Sequence, residues 1–523
     1  MRTRALGGVL AVAVAAAAVA GPAGSLAGQG TPSPLACTAG SSGIGDGYYP
    51  LLGNSGYDVR HYTLDLDLDV ANGAIDAGRA TIDALALTDL CTFNLDFRGL
   101  EIDAVLVDGQ EAAYTRHGGE LTVSPAAPIA ATTGFTVEIA YRGEPLGQEA
   151  PTAGGLVLSL LAALLSLGGP EKDGLLDGEQ YGSGWWSGDE EIFIAGEPAG
   201  AESWFPVNGH PADKATYTLR LTVPEPYAVV SNGTLRETIR EDGATTTIWE
   251  SRDPMASYLV TFHAGRIDVE TRTGPGGLPI RLAYAESVAP AQRAMFDRLP
   301  EMISYFETVF GPYPFESAGG TIVGAPILFA LETQTLPIYG EMPLFGIQKL
   351  SPAEMQAFEE IVAHETAHQW FGNSVSLLRW QDIWLNEGFA AYAQALWLEH
   401  SEGVAARDRD LAEIYAALSS DAARDAVGAT ATTARPGPAD LFSPTLVYGR
   451  GAIALHALRL EVGDEAFFAI LRQWTSRFRN GNATTEDFMA LAEEVSGADL
   501  DALFDAWLFQ PGLPPFPDAD GSG

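Results

Sequence analysis

His364 and His368 stand four residues apart in His364-Glu365-Thr366-Ala367-His368, inside a run of helical periodicity from Pro352 to Phe371. On a helix, positions i and i+4 share a face one turn apart, so both imidazoles can reach one zinc ion. Glu365, beside the first of them, points to the same region and can take a proton from a water there. The alternative is a helix carrying two ordinary histidines. A catalytic zinc takes three protein ligands and keeps a fourth position for water. No histidine or cysteine follows soon after, but Glu387 does, in Trp384-Leu385-Asn386-Glu387-Gly388-Phe389-Ala390, with eighteen residues between it and His368. That spacing lets two antiparallel helices meet at one metal. One zinc per chain, held by His364, His368 and Glu387, would lower the pKa of a water toward ~7, with Glu365 as general base for attack on a polarised carbonyl. The chemistry is amide hydrolysis, and these residues leave open whether the bond cut lies at a chain end or in its interior.

The elements that must carry these residues follow from periodicity. From Tyr57 to about Gly143 the period is two: Tyr62, Leu64, Leu66, Leu68 and Val70 alternate with Thr63, Asp65, Asp67 and Asp69, as a half-buried strand requires. The aspartates are the solvated face of that strand rather than a calcium site. Further strands are expected at Thr133–Tyr141, Ala215–Val223, Ala228–Val230, Thr245–Trp249 and Tyr258–His263, with turn signals such as Asn232-Gly233 between several of them. An antiparallel β domain ending near residue 270 results. From Ala289 helical periodicity dominates, interrupted by a strand-like stretch at Gly319–Glu332. Thr484-Thr485-Glu486-Asp487 caps a helix running toward Val495, and a short helix at Leu500–Leu508 stops at Pro511-Gly512. No repeat of solenoid or propeller period is present. Leu156–Leu167 is almost continuously apolar, too short to span a bilayer, and reads as a buried insertion or an apolar flap.

Beyond the zinc motif, other segments carry a family resemblance. Gly56-Tyr57-Asp58-Val59-Arg60-His61-Tyr62, Trp204-Phe205-Pro206 with Asp213-Lys214-Ala215, and Pro254-Met255-Ala256-Ser257-Tyr258-Leu259 come first. The zinc motif, Asn386-Glu387-Gly388 and Tyr448-Gly449-Arg450-Gly451-Ala452 follow. In content and order the chain resembles the aminopeptidase N family of zinc peptidases, glutamate-zincins that include the leukotriene hydrolases. The resemblance covers about residues 48–515 and implies an α+β fold. An N-terminal antiparallel β domain (48–270, with an insertion near 151–190) would precede a mostly helical, thermolysin-like catalytic domain (271–515) and a loose tail (516–523). It also implies roles. Family members carry a Gly-Ala-Met-Glu-Asn stretch on an edge strand; here it reads Phe329-Ala330-Leu331-Glu332-Thr333, so only the alanine and the glutamate are retained. Glu332 would hold the substrate's free α-ammonium, Glu197 in Gly196-Glu197-Pro198 would be a second amine contact, and Ala330 and Leu331 would line the first side-chain pocket. Tyr448 would donate to the oxyanion. The large C-terminal helical domain of longer relatives has no counterpart after Gly512, so a short form is expected. His61, His117, His210, His263, His400 and His456 have no ligand spacing and are expected to be structural or surface residues.

Composition bounds the rest. The chain has 523 residues, 46% hydrophobic and 19% charged, enough for two to four domains with proper cores. Lys+Arg number 29 against 68 Asp+Glu, a formal charge of −39, and a field of that sign repels phosphate backbones and anionic lipid. Neither nucleic acid nor a stable membrane insertion is expected as a partner. Arg2 and Arg4 precede an Ala/Val/Leu run and small residues, the pattern of an export signal over 1–27, followed by an arm over 28–47. Loss of the signal would take the charge to −41, and export would permit a disulfide between the only two cysteines, Cys37 and Cys91. The reading is a secreted zinc aminopeptidase acting on peptides with a free N-terminus, of undetermined oligomeric state. A zinc endopeptidase and a non-catalytic scaffold of this fold are the alternatives.

Overall fold

The structure is a computed structural model, and it describes residues 37–149, 184–327, 329–342, 349–420 and 430–517. The expected signal segment, the apolar stretch Leu156–Leu167 and the end of the tail lie outside the described residues. Among those described, no helix is long and apolar enough to cross a membrane.

An eight-stranded sheet is built on the alternating strand Tyr57–Asp69. Its Tyr62, Leu64, Leu66 and Leu68, and Val70 just beyond its end, are buried, while Asp65, Asp67 and Asp69 stay on the wetter face. It pairs antiparallel with Ala74–Ala86, which pairs with Gly134–Gly143. On its other side it pairs with Ala215–Pro224, and that pairing is parallel, Leu64 facing Leu219. The other pairings of this sheet are antiparallel, as expected, and this one parallel pair departs from that expectation. The strands are far apart in sequence, so no tight hairpin dictates their relative direction. The expected strand Tyr258–His263 also differs: Ser257–Leu259 is a turn of 3₁₀-helix and the strand starts at Phe262. The backbone there bonds side chains instead of a ladder, with Thr261 N donating to Asn232 Oδ1 at 2.6 Å and Leu259 O accepting from Asn232 Nδ2 at 3.1 Å.

The catalytic half opens with a mixed five-stranded sheet ordered Ile267–Thr273, Pro279–Ala285, Ala318–Val323, Ile338–Gly340, Ala330–Leu331. Its first strand runs across the boundary expected near residue 270. The helices follow: α1 (Leu299–Phe310), α2 (Pro352–Ala367), α3 (Trp384–Glu402), α4 (Val404–Leu418), α5 (Arg450–Arg477, kinked at Gly463) and α6 (Thr485–Ser496). α3 is central, against α2, α4 and α5, which is why its residues from Trp384 to Leu398 are nearly all buried.

The N-terminal arm ties the two halves together. Cys37 and Cys91 form a disulfide, anchoring the arm to the β half. Further along, the Asp46 carboxylate accepts from the backbone N–H of Tyr48, Tyr49 and, in the catalytic half, Trp380 (2.9 Å), and pairs with His210. The Tyr48 hydroxyl accepts from Gly437 N, and the Tyr49 ring meets Trp380 edge-on.

Candidate metal centre and active-site cleft

α2 begins with a capping box: Ser351 Oγ accepts from Glu354 N, Glu354 Oε2 accepts from Ser351 N at 2.7 Å, and Pro352 occupies the first turn. The helix ends earlier than the periodicity suggests, at Ala367, but His368 keeps helical φ/ψ as its cap, so both histidines remain on one face. The chain then turns at Gly372, whose φ of +114° is open to glycine; a Cβ there would press on Asn386 and His368.

His364 Nε2 lies 3.2 Å and His368 Nε2 3.3 Å from the same oxygen, Glu387 Oε2. The other ring nitrogens are held, His364 Nδ1 by Gln394 Oε1 and His368 Nδ1 by the Phe371 carbonyl, each at 3.0 Å. Those partners make both Nδ1 atoms donors and aim both Nε2 atoms at the carboxylate, the donor set of a zinc site. The residues therefore fit a metal. Sequence reasoning missed Gln394, although it lies seven residues after Glu387 and so on the same face of α3.

Around this cluster stand three more carboxylates. Ligand atoms of Glu332, Glu365 and His368 lie within 4.8 Å of one another, as do those of Glu197, Glu332 and Glu387. One oxygen each of Glu197, Glu332 and Glu365 is buried without a hydrogen-bond donor. Burial pushes the Glu365 and Glu197 carboxyls well above the ordinary range, reinforced by neighbouring carboxylates. It raises Glu332 as well, against the pull of His368. Burial works in the same direction on Glu387, but the two imidazoles outweigh it and hold that carboxyl down at about 2. For His368, burial opposes the cation while Glu387 and Glu332 outweigh it, raising its pKa to about 10.

These groups line a cavity of about 540 Å³. Glu332 follows the edge strand Ala330–Leu331, and its carbonyl accepts from Gln369 Nε2 (3.1 Å) and Asn373 Nδ2 (2.7 Å). Ala330 and Leu331 both line the cavity, with Leu331 also packed against Phe193 and Ile338. Glu197 comes in from the β half, shortly after the strand Glu191–Ile194. Tyr448 sits in the helical turn Pro444–Gly449 with its ring parallel to His364, centroids 5.8 Å apart. Phe358 and Ile361 extend the α2 face of Glu365 and His368 as an apolar wall. All the expected catalytic, metal and substrate residues thus meet in one cavity. The other histidines stay apart: His210 pairs with Asp46, His263 bridges Thr321 and Glu191, and His456 meets the Tyr392 hydroxyl.

Comparison with known proteins agrees with this geometry. The peptidase family M1 domain model matches residues 294–507 and the peptidase M1 N-terminal domain model matches 180–259. The chain is 30% identical over 330 residues to glutamyl aminopeptidase of Sus scrofa, covering 61% of this chain and 34% of that protein. It is 29% identical over 327 residues to aminopeptidase N of Lactococcus lactis subsp. lactis, covering 60% of this chain and 38% of that one. It thus spans about a third of the length of these curated relatives. The crystal structure of an M1 zinc metallopeptidase from Deinococcus radiodurans superposes with a TM-score of 0.75 at 27% identity, over 92% of this chain and all of that one. A mutant of the same enzyme was solved with a Tyr-Ser-Ala substrate bound, again at TM-score 0.75 and 27% identity, over 91% of this chain and 100% of that one. With both domain models, the fold and the His-His-Glu cluster in agreement, the chain belongs to the M1 family of zinc metallopeptidases.

Proposed function

We propose that the protein is an exported zinc aminopeptidase, with one zinc per chain, that removes the N-terminal residue of peptides. The observation that carries this reading is the pair Glu332 and Glu197. Each presents a buried carboxylate oxygen without a donor, beside the His364–His368–Glu387 cluster. An α-ammonium is the group such oxygens suit, since charge-assisted bonds are the strong ones. A chain end held there would place the first peptide bond at the metal position. Relatives named aminopeptidases and a family member solved with a tripeptide support the assignment.

Zinc bound by the two histidines and Glu387 supplies Lewis acidity toward a carbonyl oxygen and a water. The chain's own residues do the rest. Glu365 takes the proton of the attacking water and returns it to the leaving amine. Tyr448 donates its hydroxyl proton in a hydrogen bond to the oxygen that gains charge in the tetrahedral transition state. Glu332 and Glu197 hold the amine. Cleavage of a peptide and of its N-acetylated form tests the reading: acetylation removes the ammonium and should abolish turnover. Equal rates on both would favour an endopeptidase of the same chemistry. Glu365→Gln should abolish activity with zinc content intact, and a fully active variant would remove Glu365 from the mechanism.

A further inference from the structure

Lys214 belongs to the β half, immediately before the strand Ala215–Pro224, yet its ammonium serves the catalytic half. Nζ donates to the carbonyl oxygens of Asn373, at 2.8 Å, and Ser374, at 3.0 Å. Those carbonyls lie in the turn after the C-terminal end of α2, where carbonyls lack intrahelical donors and a cation is the favoured partner. The base of the lysine is fixed in turn, because the neighbouring Asp213 carboxylate accepts from Val59 N at 3.2 Å and from the Asn208 side chain.

Asn373 is fully buried, and while its carbonyl is held by Lys214, its side-chain amide donates to the Glu332 carbonyl at 2.7 Å. A continuous line of hydrogen bonds thus runs from Lys214 through Asn373 to the backbone of Glu332. The same segment is held from the β half a second time. Asn232 Nδ2 donates to Gln334 O at 2.6 Å, and Gly233 N donates to Thr335 Oγ1 at 2.8 Å. Thr335 keeps a left-handed φ of +65°, a conformation costly for a β-branched residue unless its surroundings impose it. The imidazole rings and carboxylate of the expected metal ligands are oriented by other groups, His364 by Gln394, His368 by the Phe371 carbonyl and Glu387 by α3, although Asn373 N also donates to the His368 backbone carbonyl at 3.1 Å.

We propose that Lys214 is a positioning residue for substrate-amine binding, acting through Asn373 to fix where Glu332 presents its carboxylate. This rests on the aminopeptidase reading above. Removing the ammonium leaves the Ser374 carbonyl without a donor in a buried turn and the Asn373 carbonyl with Ser376 Oγ alone, at 3.1 Å. The turn then shifts to find others and carries Asn373 Nδ2 away from Glu332. The loss falls first on amine binding, because the ring contacts that orient His364 and His368 do not involve Lys214 or the Asn373 side chain.

A double-mutant cycle between Lys214→Met and Glu332→Ala tests this, using the best-cleaved aminoacyl p-nitroanilide and zinc analysis of each variant. Lys214→Met should raise KM about tenfold with kcat within about twofold and zinc content unchanged, the scale expected when an outer partner of a site group is lost. Added to Glu332→Ala it should have no further effect on KM, since its action passes through that residue. An unchanged KM, an equal fall in kcat, or effects that multiply in the double variant would overturn the proposal. If Glu332→Ala alone leaves KM unaltered, the amine-binding reading itself has failed. If Glu332→Ala raises KM and Lys214→Met does not, only the role of Lys214 has failed. Should Lys214→Met not fold, Asn373→Ser removes the bond to Glu332 alone and is subject to the same criteria.

Discussion

Tyr448 differs from the carboxylates around the cleft in having no charge to offer before reaction. Burial and the neighbouring carboxylates raise its pKa well above the ordinary phenol value, so it remains a donor across the working pH range. Tyr448→Phe keeps the ring stacked on His364 and deletes only the hydroxyl. Steady-state kinetics should then show kcat lower by on the order of 10²–10³ with KM little changed. A second residue-scale consequence lies outside the cleft. Burial, with Arg407 and Arg459 nearby, lowers the His456 pKa from 6.5 to about 4. A histidine depressed on folding stabilises the protein fully above 6.5, and that contribution is lost as pH falls toward about 4. The melting temperature should drop over that interval, and His456→Gln should show a smaller drop than wild type. Residue identities in the cleft were legible because a helix turns spacing into a shared face: His364, Glu365 and His368 needed no other information. Lys214, Asn373 and Asn232 were not legible in their roles. Asn232-Gly233 carries a local turn signal, but the carbonyl it serves at Gln334 lies 102 residues away.

Among the elements, the contact between α3 and α5 decides where Glu387 stands relative to Tyr448. The two helices touch at Gly388 and Gly451. A Cβ on Gly388 would lie 3.0 Å from the Gly451 Cα, and one on Gly451 would lie 2.8 Å from the Gly388 Cα. Backbone therefore meets backbone, one residue after Glu387 of the candidate metal cluster and three after Tyr448. Gly451→Ala forces the helices apart, and overpacking of that kind costs about 1–3 kcal/mol. Denaturant unfolding should register that loss, and zinc affinity should fall with it because Glu387 moves. The glycines were visible as parts of two motifs, but a sequence cannot show that they face each other. Caps were easier to read. The Thr484–Asp487 box at the start of α6 is present as its spacing suggests, because both its bonds are local. The strand expected at Tyr258–His263 was misplaced for the opposite reason, since its backbone bonds reach Asn232.

At the scale of the whole molecule, the −39 charge sets no feature of the fold; the arm and the interface between the halves do. The Cys37–Cys91 bridge spans 54 positions, and a loop of that size contributes roughly 2–4 kcal/mol by restricting the unfolded chain. Replacing both cysteines with serine should lower the melting temperature while leaving kcat near the wild-type value, since neither touches the cleft. The division into a strand-rich half and a helix-rich half was legible from the change of period near Ala289. The parallel pairing of Tyr57–Asp69 with Ala215–Pro224 was not, because strand direction across so long a connection leaves no local mark. The arm has one further consequence. It is covalently fixed to the β half and bonded to the catalytic half at Trp380 and Gly437. Lys214 and Asn232 cross the same interface. A hinge between the halves would have to break all of these at once. Under the function proposed above, substrate entry and product exit would then have to proceed without one half swinging away from the other.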